Sequence, residues 1–475
     1  MATALLALFF LVLAFGNRLW GGSWLYPPAV FTALWCGLLA GLAGVYFLEP
    51  AGLHFFPLSI GGLALYGAGG LAFSMGGLFA RGMAGRATSE ARDARRRAFA
   101  RLVLDVCLLL LAAGLPLYLR RLQSLASVTG IENFFYAVRV YMVHYSSDDL
   151  SRSVSLLDNL LPLANFVALA LQIENDGSWK RRLRFLAGFG LAMAYGVATG
   201  SRAGILPVLV GSVAIALYRG RRLRPSIIAA GAMTFVAVFV SIALALRGPS
   251  SLEELPGAAL EKELRGLSVY ALGGLVAFDQ TLQHPGLVDP AHHSISRIFL
   301  QALNKVGGRF ELPSLHAEYV YVTSEEDVTN VYTCYFPYYG DFGWYGILLI
   351  PMLVGWALSW AYYFARAGEP VALLLSGLFV SPILMSGFAE LFFYGLNLFA
   401  KALLFALVLY HLPIGARRPA PARGRERRAA APSRLGPPHP SVGPGPDRPW
   451  VSSRPTARPP GAGPAHPRRP IGFDS

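Results

Sequence analysis

Residues 338–365 read YYGDFGWYGILLIPMLVGWALSWAYYFA, a stretch with a single charge, Asp341, near its start. Coiled as a helix at 1.5 Å per residue it would be about 42 Å long, more than the roughly 30 Å of a bilayer's hydrocarbon core. Ten further apolar runs accompany it: Ala4–Gly16, Pro28–Phe47, Ile60–Ala80, Leu102–Leu119, Val154–Ile173, Phe185–Thr199, Gly204–Tyr218, Ile227–Leu246, Val371–Gly387 and Leu391–His411. The chain is 54% hydrophobic and 14% charged, and no soluble core of this size keeps so many long, nearly uncharged runs. The expected fold is all-α, a polytopic transmembrane helix bundle of about eleven spans. Residues 1–246 carry eight spans, 247–337 form a large, partly helical extracytoplasmic loop, 338–411 carry three spans, and 412–475 form a tail.

The net charge of +14 would suggest nucleic acid in a soluble protein, but its placement argues otherwise. Beyond Leu412 stand twelve Arg against Glu426, Asp447 and Asp474, a net +9, in a background of Pro, Ala and Gly. Such a segment cannot bury a core and reads as disordered. It lacks the interleaved aromatics that stack bases, so nucleic acid is not its partner. Anionic lipid headgroups suit it. Cys36 and Cys107 fall inside spans and Cys334 stands alone, so no disulfide framework is expected. The first run lacks a positive leader and a cleavage site, and reads as a short span rather than a signal peptide.

Arg-rich short loops set orientation. Seven Arg lie between Arg81 and Arg101, four cations between Lys180 and Arg184, and four between Arg219 and Arg224. These loops and the tail are expected in the cytoplasm, which places the N-terminus, residues 120–153 and the 247–337 loop outside. The stretch 185–218 tests this arrangement. One span would put two basic loops on opposite sides, whereas two spans have only about 51 Å of helix against roughly 60 Å for two crossings. The turn Thr199-Gly-Ser-Arg-Ala-Gly204 is therefore expected to dip below the outer boundary, drawing Arg202 to membrane depth. A charge there is costly unless paired or facing a polar cavity. Within the loop, Leu255–Gln283 reads as a helix whose apolar stretch, Leu267 to Phe278, lies on the membrane. A second helix shows an apolar stripe of Ile295, Ile298, Phe299, Ala302, Leu303 and Val306, with Arg297, Asn304 and Lys305 off it.

No zinc-ligand spacing, phosphate-binding P-loop, serine elbow or Asp-x-Asp pair occurs, so neither metal nor cofactor is expected. Asp148-Asp149 and Glu325-Glu326-Asp327 read as solvated loop acids. Arg202 either caps carbonyls at a tight turn or binds a diphosphate through its planar fork, which stays charged and grips phosphate oxygens in pairs. Arg247, ending the eighth run on the same face, either snorkels to the interface or joins Arg202. Arg265 and Arg309 are further cations of that face. The rings of 330–346 belong to an interfacial aromatic belt or to a sugar site. Asp341 between Gly340 and Gly343, with Asn330, Tyr332 and Tyr339, favours the sugar. His284, His292, His293 and His316 lie in the same loop as solvated side chains or, in one case, a base. Glu390, Asn397 and Lys401 share a helical face by spacing, with Lys401 expected to face the bundle interior.

Four stretches bring the chain close to a known family. Thr199-Gly-Ser-Arg-Ala-Gly204, Leu246-Arg247-Gly248, Tyr270-Ala-Leu-Gly-Gly-Leu-Val-Ala-Phe-Asp279, and Asn330-Val-Tyr-Thr333 with Pro337-Tyr-Tyr-Gly-Asp-Phe-Gly343 resemble the O-antigen (Wzy-type) repeat-unit polymerases. The resemblance covers the layout of residues 25–411 and leaves the tail aside. It implies a bacterial inner-membrane glycosyltransferase, independent of metal, that joins oligosaccharide units carried on undecaprenyl diphosphate at the periplasmic face. Arg202 and Arg247 would then hold the diphosphate, Asp341 or His316 would accept the hydroxyl proton, and Tyr270, Asn330, Tyr332 and Tyr339 would hold sugars. It also implies a chain-length regulator of the same pathway as a partner. The related O-antigen ligases use the same donor with another acceptor, and a polytopic transporter or lipid-glycan flippase is the rival of a different class.

Overall fold

The computed structural model describes residues 1–48, 53–83, 94–141, 156–199, 202–221, 226, 256–287, 295–312, 318–324 and 327–412. Residues 1–414 form one compact unit. The 412–475 tail beyond Leu412, the run Ile227–Leu246, and the acids Asp148, Asp149, Glu325 and Glu326 lie outside the described residues.

The described chain is mostly helical. In order come α1 (Ala2–Gly21), α2 (Pro27–Leu48), α3 (Ile60–Met83), α4 (Ala94–Ser127), α5 (Phe134–Val140), a 3-10 turn (Leu156–Asn159), α6 (Leu160–Glu174), α7 (Trp179–Ala198) and α8 (Arg202–Tyr218). After these come α9 (Pro256–Gln283), α10 (Ser296–Lys305), strands β1 (Val320–Tyr321) and β2 (Val328–Thr329), α11 (Tyr335–Arg366), α12 (Pro370–Met385) and α13 (Leu396–His411). Five of them, α1, α2, α3, α11 and the Arg97–Ser127 part of α4, are long and apolar enough to cross a membrane. The shorter apolar helices α6, α12 and α13, of 15, 16 and 16 residues, reach only about 24 Å each. Residues 185–218 fall on two helices, α7 and α8.

Helix pairing rests on small residues, which let backbones approach where no water remains to drive association. Gly62, Gly69 and Gly76 recur every seventh position on α3. A Cβ on Gly76 would strike the Met352 carbonyl of α11, and one on Gly69 the Tyr335 ring. Gly355 answers from α11 against Phe73, and Gly211 of α8 meets Gly377 of α12 in the same way. Inside the α1–α2–α3 group, Asn17 donates to Ser74 Oγ at 2.9 Å, and Thr32 returns its hydroxyl to the Pro28 carbonyl at 2.6 Å.

Hydrogen bonds sort the connections to two ends. At one end Arg81 donates to the Trp20 carbonyl, Tyr362 to Gly21, and Arg219 to the Gln172 and Asn175 carbonyls, while Arg184 pairs with Asp105. The other end gathers the start of α3, the end of α9, the β1–β2 hairpin, the start of α11 and the α12–α13 turn. There Phe56 N donates to Val322 O at 3.0 Å, and β1 pairs antiparallel with β2, Val320 facing Thr329.

The helix α9 differs from its expected place on the membrane. The later part of its apolar stretch is enclosed by protein: Leu275, Val276, Ala277 and Phe278 are all fully buried, although Leu267 at its start is exposed. Four consecutive buried residues need cover on every side. That cover comes from α2 and α3 on one side and from the hairpin and the start of α11 on the other. Gly273 and Gly274 permit it, since a Cβ on Gly274 would sit 3.1 Å from Gly387 O and 3.3 Å from Val331 O. The hydroxyl of Tyr66 fastens the helix at Leu275 O (2.6 Å). Arg265 grips Asp327 through two nitrogens, at 3.0 and 2.6 Å, and so ties α9 to the hairpin. Asp327 is therefore an ion-pair partner, not a solvated loop acid.

Candidate functional site

The break in α11 sets the geometry. Gly343 has φ 55° and ψ −140°, a conformation essentially reserved for glycine. It separates the aromatic first segment, 335–342, from the long apolar helix that follows. A Cβ on Gly346 would run into Tyr338 O, so a second glycine is needed where the two segments fold together. The break aims Asp341 at the start of α10. Its carboxylate accepts from Ser296 N at 3.1 Å and Ser296 Oγ at 3.2 Å. The N-cap of α10 is Ile295, which offers no side-chain cap, so Asp341 supplies from another helix the acceptor that the first turn lacks.

Arg297 stands beside this contact. It is only 8% exposed, and its Nε is buried without a hydrogen-bond partner among the described residues. Burial pulls its pKa down, and the nearby Tyr394 opposes that shift. Burial pushes the Tyr394 phenol up to about 12; Glu390 and Asp341 push the same way and Arg297 opposes them. These four side chains therefore share one electrostatic neighbourhood.

Glu390 holds that neighbourhood's turn. One oxygen accepts from Phe392 N (2.8 Å), Phe393 N (3.0 Å) and Tyr338 Oη (3.1 Å), the other from Phe393 N (3.1 Å) and Tyr394 N (3.2 Å). At 4% exposure its pKa is raised by burial, with those hydrogen bonds pulling the other way. Its acceptor positions are taken, so it shapes the turn that carries Tyr394. It does not share a helical face with Asn397 and Lys401, because α13 begins only at Leu396. Lys401 is exposed rather than turned into the bundle, and donates to Asn159 Oδ1 at 2.8 Å.

The expected sugar-binding residues are placed unevenly. Asn330 is exposed just after β2. Tyr270 is half-buried and stacks on Phe388 with ring centres 5.6 Å apart. Tyr339 is half-buried, edge-on to Phe278. Tyr332 is a packing residue: it is buried, stacked on Phe336 at 4.3 Å, and donates its hydroxyl to Glu318 O at 2.9 Å. Arg202 opens α8, but its side chain lies outside the described residues, as do all of Arg247, His292, His293 and His316. Asp341, Tyr270, Tyr332 and Tyr339 thus meet different partners, Ser296, Phe388, Phe336 and Phe278 respectively, and the side chains of the two arginines and His316 lie outside the described residues. Among the described residues no cluster of His, Cys, Asp and Glu suits a metal ion.

In the sequence Arg297 stands off the apolar stripe of α10 with no role assigned, because spacing does not say which side of a helix is covered. Ile295 at the start of the stripe is buried, but Phe299 and Leu303 are exposed, Val306 is 83% exposed, and Arg297 is buried. An amphipathic helix with an uncovered apolar face is suited to a membrane surface.

No protein-family model, curated protein or solved structure matches this chain significantly. Its fold and composition define a mostly helical chain with several long apolar helices, compatible with an all-α membrane bundle.

Proposed function

We propose that the chain is a bacterial inner-membrane glycosyltransferase that polymerises oligosaccharide units carried on undecaprenyl diphosphate, at the outer face of the membrane. The observation that carries this reading is the meeting of Tyr270–Asp279, Asn330–Thr333 and Pro337–Gly343, distant in sequence: Gly274 abuts Val331, and Phe278 packs edge-on to Tyr339, two residues before Asp341. The described arginines Arg81, Arg184 and Arg219 gather at the opposite end of the bundle, which favours an outward orientation for this site. The N-terminus then lies outside and the C-terminus in the cytoplasm.

In the proposed reaction a sugar hydroxyl of one unit attacks the anomeric carbon of the growing chain. A new C–O bond forms, the bond to the lipid diphosphate breaks, and the hydroxyl proton passes to a base. Asp341 fits the base: Ser296 occupies part of its acceptor capacity and leaves lone pairs free. Arg202 and Arg247 neutralise the departing diphosphate, where fixed cations in a water-poor site act most strongly. Arg297 lends positive charge from the Asp341 side. Asn330 and Tyr270 offer an amide and a ring face to sugars.

The test is polymerisation by the purified protein in liposomes supplied with a lipid-linked repeat unit. A ladder of products supports a polymerase, and Asp341→Asn should abolish it. Single transfer to another acceptor would make the protein a ligase, and lipid-glycan movement without new bonds would make it a transporter or flippase. Either result removes the proposal.

A further inference from the structure

We propose that a cleft at the basic end of the bundle, between α4, α6 and α7, binds the phosphate headgroup of an anionic phospholipid. The cleft opens to the surface and is lined by Arg101 and Asp105 of α4, Glu174 of α6, and Arg181 and Arg184 of α7.

The pairing inside it is incomplete. Arg184 Nη2 meets Asp105 Oδ2 at 2.9 Å, and Arg181 pairs with Asp176 just outside. Arg101 is left with a buried Nε that has no hydrogen-bond partner among the described residues. A buried donor without an acceptor is unfavourable, and a guanidinium is best completed by a carboxylate or phosphate that takes two of its N–H groups. Among the described residues, Asp105 is committed to Arg184 and Asp176 to Arg181, and Glu174, which also lines the cleft, makes no hydrogen bond to the Arg101 Nε. A phosphate brought from outside completes the set.

The surroundings identify the phosphate's carrier. Below Arg101, α4 exposes Leu102, Val106, Leu109 and Leu110 in a continuous row, and α7 exposes Leu183 and Leu186 beside it. Trp179, 72% exposed, marks the start of α7, as aromatic side chains do at a membrane interface. A headgroup seated on Arg101 would therefore have its acyl chains along these leucines. Basic pockets between helices at the cytoplasmic side bind acidic headgroups by this combination. A soluble phosphate compound would gain nothing from the apolar row. The site lies at the other end of the bundle from Asp341 and does not depend on the activity proposed there.

The test uses the full chain, purified in detergent and titrated with cardiolipin or phosphatidylcholine, with retained lipid counted by native mass spectrometry. We expect cardiolipin to be retained in preference, and Arg101→Gln to weaken its retention by about fivefold, the effect of one arginine near a charged lipid surface. Arg101→Lys should keep part of the affinity. Asp105→Asn removes a repelling carboxylate and frees Arg184, so it should tighten retention, a gain that misfolding cannot imitate. Arg81→Gln at the same end, whose arginine serves the Trp20 carbonyl, should change nothing. Equal retention of the two lipids, no loss in Arg101→Gln, or no gain in Asp105→Asn would overturn the proposal. So would equal losses in Arg101→Gln and Arg81→Gln, which would reduce the effect to bulk charge. Full competition by millimolar inorganic phosphate would overturn the lipid assignment in favour of a free anion.

Discussion

Replacing Gly343 with alanine separates backbone strain from crowding. No heavy atom lies within 4 Å of the position a Cβ would take there, so an added methyl group has room. The backbone does not: φ 55° with ψ −140° disfavours any L side chain, and holding one there costs about 1–3 kcal/mol. The chain can instead straighten, which would rotate 335–342 and break the contact between Asp341 and Ser296. A hydrogen bond to a charged group contributes about 1.5–3 kcal/mol, so that escape is no cheaper. Gly343→Ala should therefore lower the folded-to-unfolded ratio roughly 5- to 150-fold. Gly16 of α1 is the control, since its Cβ would also meet nothing within 4 Å and its φ is not positive. Gly16→Ala should raise stability by about 0.5–1 kcal/mol. Equilibrium unfolding of both variants in mixed micelles with increasing dodecyl sulfate, followed by tryptophan fluorescence, makes the comparison. A Gly343→Ala protein as stable as wild type would refute the argument, and with it the role of the break in aiming Asp341.

Asp279 is fully buried and accepts from Ser59 N (2.8 Å) and Ser59 Oγ (2.5 Å), while Ser59 Oγ caps α3 at Gly62 N. A double-mutant cycle of Asp279→Ala with Ser59→Ala should show a coupling of about 1.5–3 kcal/mol, and strict additivity would discount the contact. Because burial raises the Glu390 pKa above 4.5, the folded state binds the extra proton. Its contribution is full below that value and declines as pH rises through the folded pKa, so Glu390→Gln should flatten this part of the stability profile. In the polymerisation assay, Arg202→Lys should fail nearly as badly as Arg202→Ala if the guanidinium fork holds a diphosphate, because an ammonium cannot make the paired contact. Full activity of well-expressed Arg202→Ala would remove that residue from the site. Reporter fusions at Gly286 and Arg434 should report opposite compartments, and a shared compartment would contradict the orientation.

The helices were legible in the sequence because an apolar run states its own length. The run Ile60–Ala80 became α3, and Tyr338–Ala365 became α11 with three residues added before it and one after. The stretch 185–218 likewise divides into two helices, α7 and α8, as its length and flanking charges require. What periodicity could not supply was which side of a short helix faces protein. The stripe on α10 is real, yet Phe299, Leu303 and Val306 on it are exposed, while Arg297 off it is buried next to the Ser296 that Asp341 holds. The spacing of Glu390, Asn397 and Lys401 assumed one helix, whereas the Glu390 carboxylate draws three backbone N–H groups into a separate turn. The first depends on a partner 45 residues away, which no local window contains; the second is local, but spacing alone does not tell such a turn from a helix. Burial of α9 had a sequence trace in the Gly273-Gly274 pair, whose meaning depends on knowing what lies opposite.

Three acids at this end do the same physical work and differ in what they have left. Asp279 takes Ser59 N, Glu390 takes the N–H groups of Phe392, Phe393 and Tyr394, and Asp341 takes Ser296 N. Each supplies an acceptor to a segment starting a helix or turn whose first N–H groups have no partner of their own. Asp279 and Glu390 are enclosed, and their oxygens also receive Gln283 Nε2 and Tyr338 Oη respectively. Asp341 is half-exposed and, among the described residues, receives only Ser296. It alone of the three can meet a substrate proton without giving up the structure around it. The consequences of substitution should therefore part: Asp279→Ala should cost stability first, whereas Asp341→Asn, which keeps an oxygen for Ser296, should fold and fail in chemistry. An Asp341→Asn protein that polymerises at the wild-type rate would leave Asp341 as a cap and nothing more.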